Sequence, residues 1–408
     1  MLWDKQDRLK PDLAIIIAVA VLLVYGLMAV YSATQSANPI IQNNFGKQFI
    51  WMLVGIIVAS TIMLIPFKFF YDQAYLFYAV AIFLLILVLI IGGGTGVKRW
   101  FYIGPLRLQP SEFAKLATLF ALAKYASGQQ RDMNNLRDLA IAFLIVLVPT
   151  LLIIKEPDLG TALVIMAIVL PVLFWAGLSL FTVFVLLAPL IVMVSAFTFT
   201  SFFIAMVTIT AVMILSGRGP RVIIPNFLLN IFVGIMTPML WGNLHAYQRS
   251  RILTFLGIEK DPQGLGYQVL QSKVAIGSGG LWGKGWTEGT QTQLRFLPEQ
   301  HTDFIFSVVG EEFGLFGVIV ILLAFLVILW RALNIAADSK NAFAGLVVVG
   351  SVVILAFHVL VNSGMTVGVM PVTGLPMPFL SYGGSAMLTN MVIIGLILNA
   401  GIRKFNYV

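Results

Sequence analysis

The chain has 408 residues, 60% of them hydrophobic and only 10% charged, with a net charge of +8 and no cysteine. That composition excludes a soluble globular enzyme, and the missing cysteine removes disulfides and thiolate metal sites. The positive balance does not point to nucleic acid, because Lys and Arg are scattered at the ends of apolar blocks instead of being gathered with aromatics in a soluble stretch.

Lys5, Arg8 and Lys10 precede the first apolar block, about Leu13 to Tyr31. It is too long for a cleavable signal segment and reads as a first span with the N-terminus in the cytoplasm. Further blocks near 48–66, 73–92, 111–126, 138–154, 159–176, 178–197, 200–216, 222–241, 304–330, 343–362 and 384–401 bring the total to about twelve helices. The runs are long and lack period-two alternation. The fold class is therefore all-α, a polytopic integral membrane helical bundle with a large extracytoplasmic loop. The block starting at Ser111 is the weakest, short and amphipathic.

With the N-terminus inside, the inner connections carry Lys68, Arg131, Arg137, Arg218, Arg221, Arg331 and Lys340, with Arg403 and Lys404 after the last span. The outer turn at 198–201 and the segment 363–383 carry no charge. This bias places both termini in the cytoplasm. The outer face then receives segments 95–110, 155–158, 249–303 and 363–383, which hold nearly every unusual polar residue. Residues 1–408 read as a single integral membrane domain, with 242–303 as the large loop bearing the active site.

Several motifs admit two readings from the residues alone. Lys98, Arg99 and Trp100 follow a glycine run, suited either to a phosphate or to anchoring at headgroup level. Glu112 and Lys115 share a helix face behind Pro110, as an interior ion pair or as groups lining a cavity. Asp158, in Glu156-Pro157-Asp158, is a helix cap or a contact to a cation or sugar hydroxyl. Arg249, Gln268, Gln271 and Ser272 belong to a Gly-rich stretch that is either equipped for a phosphorylated sugar or a solvated flexible loop, and in it Tyr267, Leu270 and Val274 look like an amphipathic helix lying at the membrane. Glu299, His301 and Asp303 are acid–base groups or plain helix-start residues, without zinc-type spacing. Ser381 ends a Pro- and Gly-rich loop that either dips into the protein or simply turns.

Taken together, Lys98-Arg99-Trp100, Gln109-Pro110-Ser111-Glu112, Pro157-Asp158-Leu159-Gly160-Thr161, Asp261-Pro262 through Gly266-Tyr267-Gln268, His301-Thr302-Asp303-Phe304-Ile305-Phe306 and Ser381-Tyr382-Gly383-Gly384-Ser385 resemble the SEDS family of shape, elongation, division and sporulation proteins. Gly283-Lys284-Gly285-Trp286 and Phe296-Leu297-Pro298-Glu299 are more similar to its RodA-like elongation branch than to the division branch. The resemblance implies a peptidoglycan glycosyltransferase that polymerises lipid II at the outer face of the inner membrane. It implies Asp261 as the essential carboxylate, a class B penicillin-binding protein and other elongation-machinery proteins as partners, and, with the pyrophosphate chemistry, Mg²⁺ or another divalent cation. A lipid II flippase and a non-catalytic scaffold for a cell-wall synthase are the rival classes. One departure stands out: the family has about ten spans, and region 178–241 here holds two apparent extra ones.

Overall fold

The computed structural model describes residues 11–35, 39–93, 98–103, 106–217, 219–242, 249, 253 and 265–403. Asp261, the expected catalytic carboxylate, lies outside the described residues. Each of the twelve apolar blocks is a helix, as backbone groups in lipid require. They are α1 (Leu13–Gln35), α2 (Pro39–Leu64), α3 (Phe67–Ile91), α4 (Pro110–Ala126), α5 (Leu136–Lys155), α6 (Leu159–Trp175), α7 (Leu180–Ser195), α8 (Phe199–Leu215), α9 (Pro220–Gly242), α12 (Ile305–Asp338), α13 (Ala342–Thr366) and α14 (Gly384–Ile402). Among the described residues, eight of these helices are long and apolar enough to cross a membrane, and α6, α7 and α8 are shorter apolar helices. A helix α10 (Leu265–Gly279), a single turn α11 (Thr290–Gln293) and a hairpin of β1 (Phe101–Ile103) with β2 (Leu106–Leu108) complete the set.

The chain divides into two compact units, residues 1–176 with 260–408, and residues 177–259. The smaller one contains α7, α8 and α9, the region of the extra spans. Its core is Ala188, Val192, Met206, Ile209 and Met213. Ser179 caps α7 and Thr198 caps α8 through their hydroxyls. Asn230, fully buried, donates to Asn226 one turn away on α9 at 2.7 Å, and Asn226 in turn donates to the Val185 carbonyl of α7 at 3.5 Å, a polar contact between helices.

In the larger unit α4 is the most enclosed helix. All of it except Phe113 and Lys124 is buried, against α3, α5, α6 and α13. The amphipathic pattern expected for this block has no exposed face to match. Its modest apolarity is tolerated because protein surrounds it and its charges find partners inside. Phe67, Phe70, Phe120 and Phe343 interlock α3, α4 and α13 with ring centroids 5.7–6.5 Å apart.

Helix α10 packs along α12 while Leu270 and Val274 stay exposed. Ser272 meets Ser307 at 2.6 Å and Ile276 lies against Gly310, so α10 runs parallel to the first turns of α12. The chain then turns back through Gly280 and Gly283, both with positive φ. At Gly314 (φ 63°, ψ −163°) α12 leaves helical geometry. That break frees its backbone for the returning strand: Lys284 and Gly285 donate to the carbonyls of Glu311 and Glu312 at 3.0 and 3.1 Å, while Leu315 and Phe316 donate to those of Gly280 and Leu281 at 2.9 and 3.1 Å. A Cβ at Gly283 would fall onto the Glu312 carbonyl, and one at Gly314 onto the Gly283 amide, so both positions require glycine.

Candidate functional site

The polar residues of the larger unit gather where α3 ends, α4 begins, α5 turns into α6, α12 begins, α13 ends and α14 begins. Lys98 is exposed and donates to the Ile90 carbonyl at 2.9 Å. Arg99 donates to the carbonyls of Glu156 (2.7 Å) and Pro157. Both cations thus serve carbonyls at helix C-termini, where positive charge is favoured. Trp100 pairs with Gly93, its amide and carbonyl both engaged.

Asp158 caps α6. Its Oδ1 accepts from the Thr161 amide at 3.1 Å, and its Oδ2 accepts from the Thr161 hydroxyl and the Gln109 amide group, each at 2.9 Å. Beside it, Glu156 is fully buried, with no hydrogen-bond partner for either carboxyl oxygen among the described residues. Burial, reinforced by Asp158 and opposed by Arg99, pushes its pKa up to about 8. Gln109 also links this corner to α14, its amide donating to the Ser385 hydroxyl at 3.2 Å.

The loop between α13 and α14 does dip into the protein. Ser381 donates to the Thr302 carbonyl at 2.6 Å and accepts from the Met377 amide at 2.8 Å. Tyr382 donates to the His301 carbonyl at 2.9 Å, with the two rings 5.8 Å apart. Burial lowers the pKa of His301 and outweighs the opposing pull of Glu299. Asn362 donates to the carbonyls of Asp303 (2.9 Å) and Leu375 (2.8 Å). Glu299 is exposed, accepting from the Thr302 hydroxyl at 3.2 Å, and its positive φ of 49° sharpens the entry to α12. Gly160 packs on Leu375 and the Thr373 carbonyl, which joins the α6 start to the same loop.

Ser272 donates to the Thr366 carbonyl at 2.6 Å and so fastens α10 to the end of α13. Gln268 and Gln271 sit half-buried on α10 within one turn of it. Arg249 belongs to the smaller unit, exposed, with its guanidinium 5.8 Å from the ring centre of Trp241. Lys115 and Glu112 form an ion pair at 2.9 Å, both almost wholly buried. The structure therefore unites positions 98–100, 109, 158, 272, 299–303 and 381 in one polar layer, with the 112/115 pair inside the bundle.

The FtsW/RodA/SpoVE description of cell cycle proteins matches residues 12–203 and 182–405. The chain belongs to that family.

Relatives within the FtsW/RodA/SpoVE family include the peptidoglycan glycosyltransferase MrdB of Escherichia coli K12, 35% identical over 401 residues that cover 97% of this chain and 94% of MrdB. The peptidoglycan glycosyltransferase RodA of Treponema pallidum is 32% identical, covering 96% and 98% of the two chains. A solved structure described as showing the coordination of polymerization and crosslinking by a peptidoglycan synthase complex superposes with a TM-score of 0.73, at 30% identity and 98% and 99% coverage. This member of the family has the expected architecture, an integral membrane bundle of helices.

Sequence reasoning missed two participants. His358, buried on α13, lies 3.2 Å from the Lys115 ammonium through Nε2. A lone ionisable residue within an apolar helix is itself a signal of an internal partner. Glu156 stands beside Asp158 as a second helix-start carboxylate with no role of its own assigned, and nothing in its sequence context tells the enclosed carboxyl from the capping one.

Proposed function

We propose that the protein is a peptidoglycan glycosyltransferase that polymerises lipid II into β-1,4-linked glycan for cell-wall elongation and cell shape, with release of polyprenyl pyrophosphate. The observation that carries this reading is the continuous polar layer at one end of a membrane bundle, in a chain that matches relatives named peptidoglycan glycosyltransferases over nearly its whole length. The charge bias of the connections supports placing that layer outside the cytoplasmic membrane, with both termini in the cytoplasm. The structural neighbour is described as a synthase complex that coordinates polymerization and crosslinking, which supports a cross-linking partner for this chain; that partner is assigned as a class B penicillin-binding protein, alongside other elongation-machinery proteins.

In the reaction the 4-hydroxyl of one saccharide attacks the anomeric carbon of another while the lipid pyrophosphate departs. A sugar hydroxyl is a very weak acid, so a carboxylate within reach must take its proton, and that role is assigned to Asp261. Displacement of an α-linked donor with one base inverts to the β-linkage. The departing pyrophosphate needs positive charge around it. Lys98 is exposed at the layer and suits that task, with Arg99 beside it and Arg249 as a further candidate. Lys115 is enclosed and supports the site from within. Among the described residues no three His, Asp or Glu side chains converge, and both Asp158 oxygens are taken by Thr161 and Gln109. A divalent cation would therefore be held chiefly by the pyrophosphate itself, with one or two carboxylates, and would neutralise the leaving group alongside these side chains.

The enclosed Glu112–Lys115 pair is also what a lipid II flippase would need, and one experiment separates the readings. Purified protein is incubated with lipid II and Mg²⁺ in liposomes, and glycan is resolved by gel while scrambling is followed in parallel. The parent protein makes glycan and Asp261→Asn makes none. Scrambling without glycan would replace this reading by the flippase, and polymerisation by Asp261→Asn at the parental rate would remove Asp261 from its role.

A further inference from the structure

We propose that His358 is a positioning residue for Lys115, a neutral imidazole that holds the ammonium in place and ties it to the loop over the polar layer; this rests on the glycosyltransferase reading. An ammonium has three donors and no acceptor, so the 3.2 Å contact makes His358 Nε2 the acceptor. The ring proton then sits on Nδ1, which lies 3.0 Å from the Pro376 carbonyl, a group that can only accept. Only the neutral ring protonated on Nδ1 satisfies both neighbours. An imidazolium would aim an N–H at the Lys115 charge.

Lys115 and Glu112 are one turn apart on the same helix, α4, so their ion pair alone ties the ammonium to no other element. His358 supplies the bond that anchors the pair to a second helix, α13. Its other nitrogen holds Pro376, which lies between the two loop positions already fastened to the α12 entry: the Leu375 carbonyl, bonded by Asn362 together with that of Asp303, and the Met377 amide, bonded by Ser381 together with the Thr302 carbonyl. One ring thus joins the interior charge pair to the segment 301–303. Its removal would let the ammonium and the loop move independently, with no change to any group at the surface of the layer.

The test uses the full chain in liposomes with lipid II as substrate, with thermal unfolding in detergent as a readout that needs no activity. His358→Leu, lacking both bonds, and His358→Asn, whose shorter amide reaches the Nδ1 position beside Pro376 and not the Nε2 position beside Lys115, should each lower the polymerisation rate by about tenfold or more, the size of one lost charge-assisted hydrogen bond. His358→Gln, which restores an acceptor for the ammonium, should recover the rate to within about threefold. In a Lys115→Met background, His358→Leu should add little to the loss of either rate or thermal midpoint, whereas a residue acting only through packing gives additive losses. A parental rate in His358→Leu, a His358→Gln as poor as His358→Leu, or additive losses in both readouts would overturn the proposal. If the parent itself makes no glycan, the functional reading fails, and the thermal coupling between His358 and Lys115 still decides whether the bond exists.

Discussion

Glu311 receives the Lys284 ammonium at 2.8 Å with its own carboxylate fully enclosed, across a break of 27 residues in the chain. The same carboxylate accepts from the amides of Gln291 (2.8 Å) and Thr292 (3.0 Å) and from the Thr292 hydroxyl (2.8 Å). One side chain of α12 therefore fixes the whole return of the re-entrant hairpin, and the resulting fold places residues 294–304 at the polar layer. Removing it leaves a cation and two backbone donors without an acceptor, so Glu311→Ala should destabilise the protein by about 3 kcal/mol or more. Unfolding midpoints will show this, with new protease cleavage confined to 281–300; Glu311→Gln, which keeps one acceptor, should fall between the two.

Asn362 donates two bonds to carbonyls from different segments, Asp303 and Leu375. Asn362→Asp replaces the double donor with acceptors facing those carbonyls. The expected loss is about 2 kcal/mol or more, since a buried carbonyl without a donor forfeits the full cost of its desolvation. Polymerisation should drop in parallel, because both carbonyls border the layer. A variant with the parental unfolding midpoint would show that this clamp does not hold the loop.

Much of the bundle was legible in the sequence for a plain reason: an apolar run near twenty residues has no stable alternative to a helix in lipid, so all twelve blocks were found where the runs are. What the runs do not encode is which helix others surround. Helix α4 reads as weak because Glu112, Lys115 and Thr118 dilute its apolarity, yet these residues mark an interior position where polar groups can be paired. The α10 hairpin was legible as a helix and not as an insertion, since its docking depends on a helix break at Gly314, 35 residues beyond its own end at Gly279. At the site, motif residues announced themselves by type. Their pairings, such as Ser381 with the Thr302 carbonyl 79 positions away, are set by tertiary packing and leave no local pattern.

Thr161 offers Asp158 both its amide and its hydroxyl, so the capping role stands on two bonds. Asp158→Ala should weaken the protein by about 1 kcal/mol, the usual size of a lost N-cap. Asp158→Asn keeps an acceptor for the amide and should recover most of that in thermal unfolding. If the carboxylate also touches substrate, Asp158→Asn will still be impaired in polymerisation at parental stability, and equal recovery of both would assign Asp158 to capping alone.

Glu156 makes the stability of this corner depend on pH. Its carboxyl is raised from an ordinary 4.5 to about 8 by burial first and by Asp158 second, with Arg99 opposing. Between those values the folded chain holds a proton that the unfolded chain releases, so folding is favoured by acid: the contribution is complete below about 4.5 and is lost as pH rises through about 8. Thermal midpoints of the parent should therefore decline from neutral to mildly alkaline pH. Glu156→Gln carries a permanently neutral group of the same shape, and its midpoint should be flatter over that range and higher than the parent's at the alkaline end. Parallel curves for the two proteins would mean that the carboxyl ionises without penalty and does not set the pH dependence of this corner.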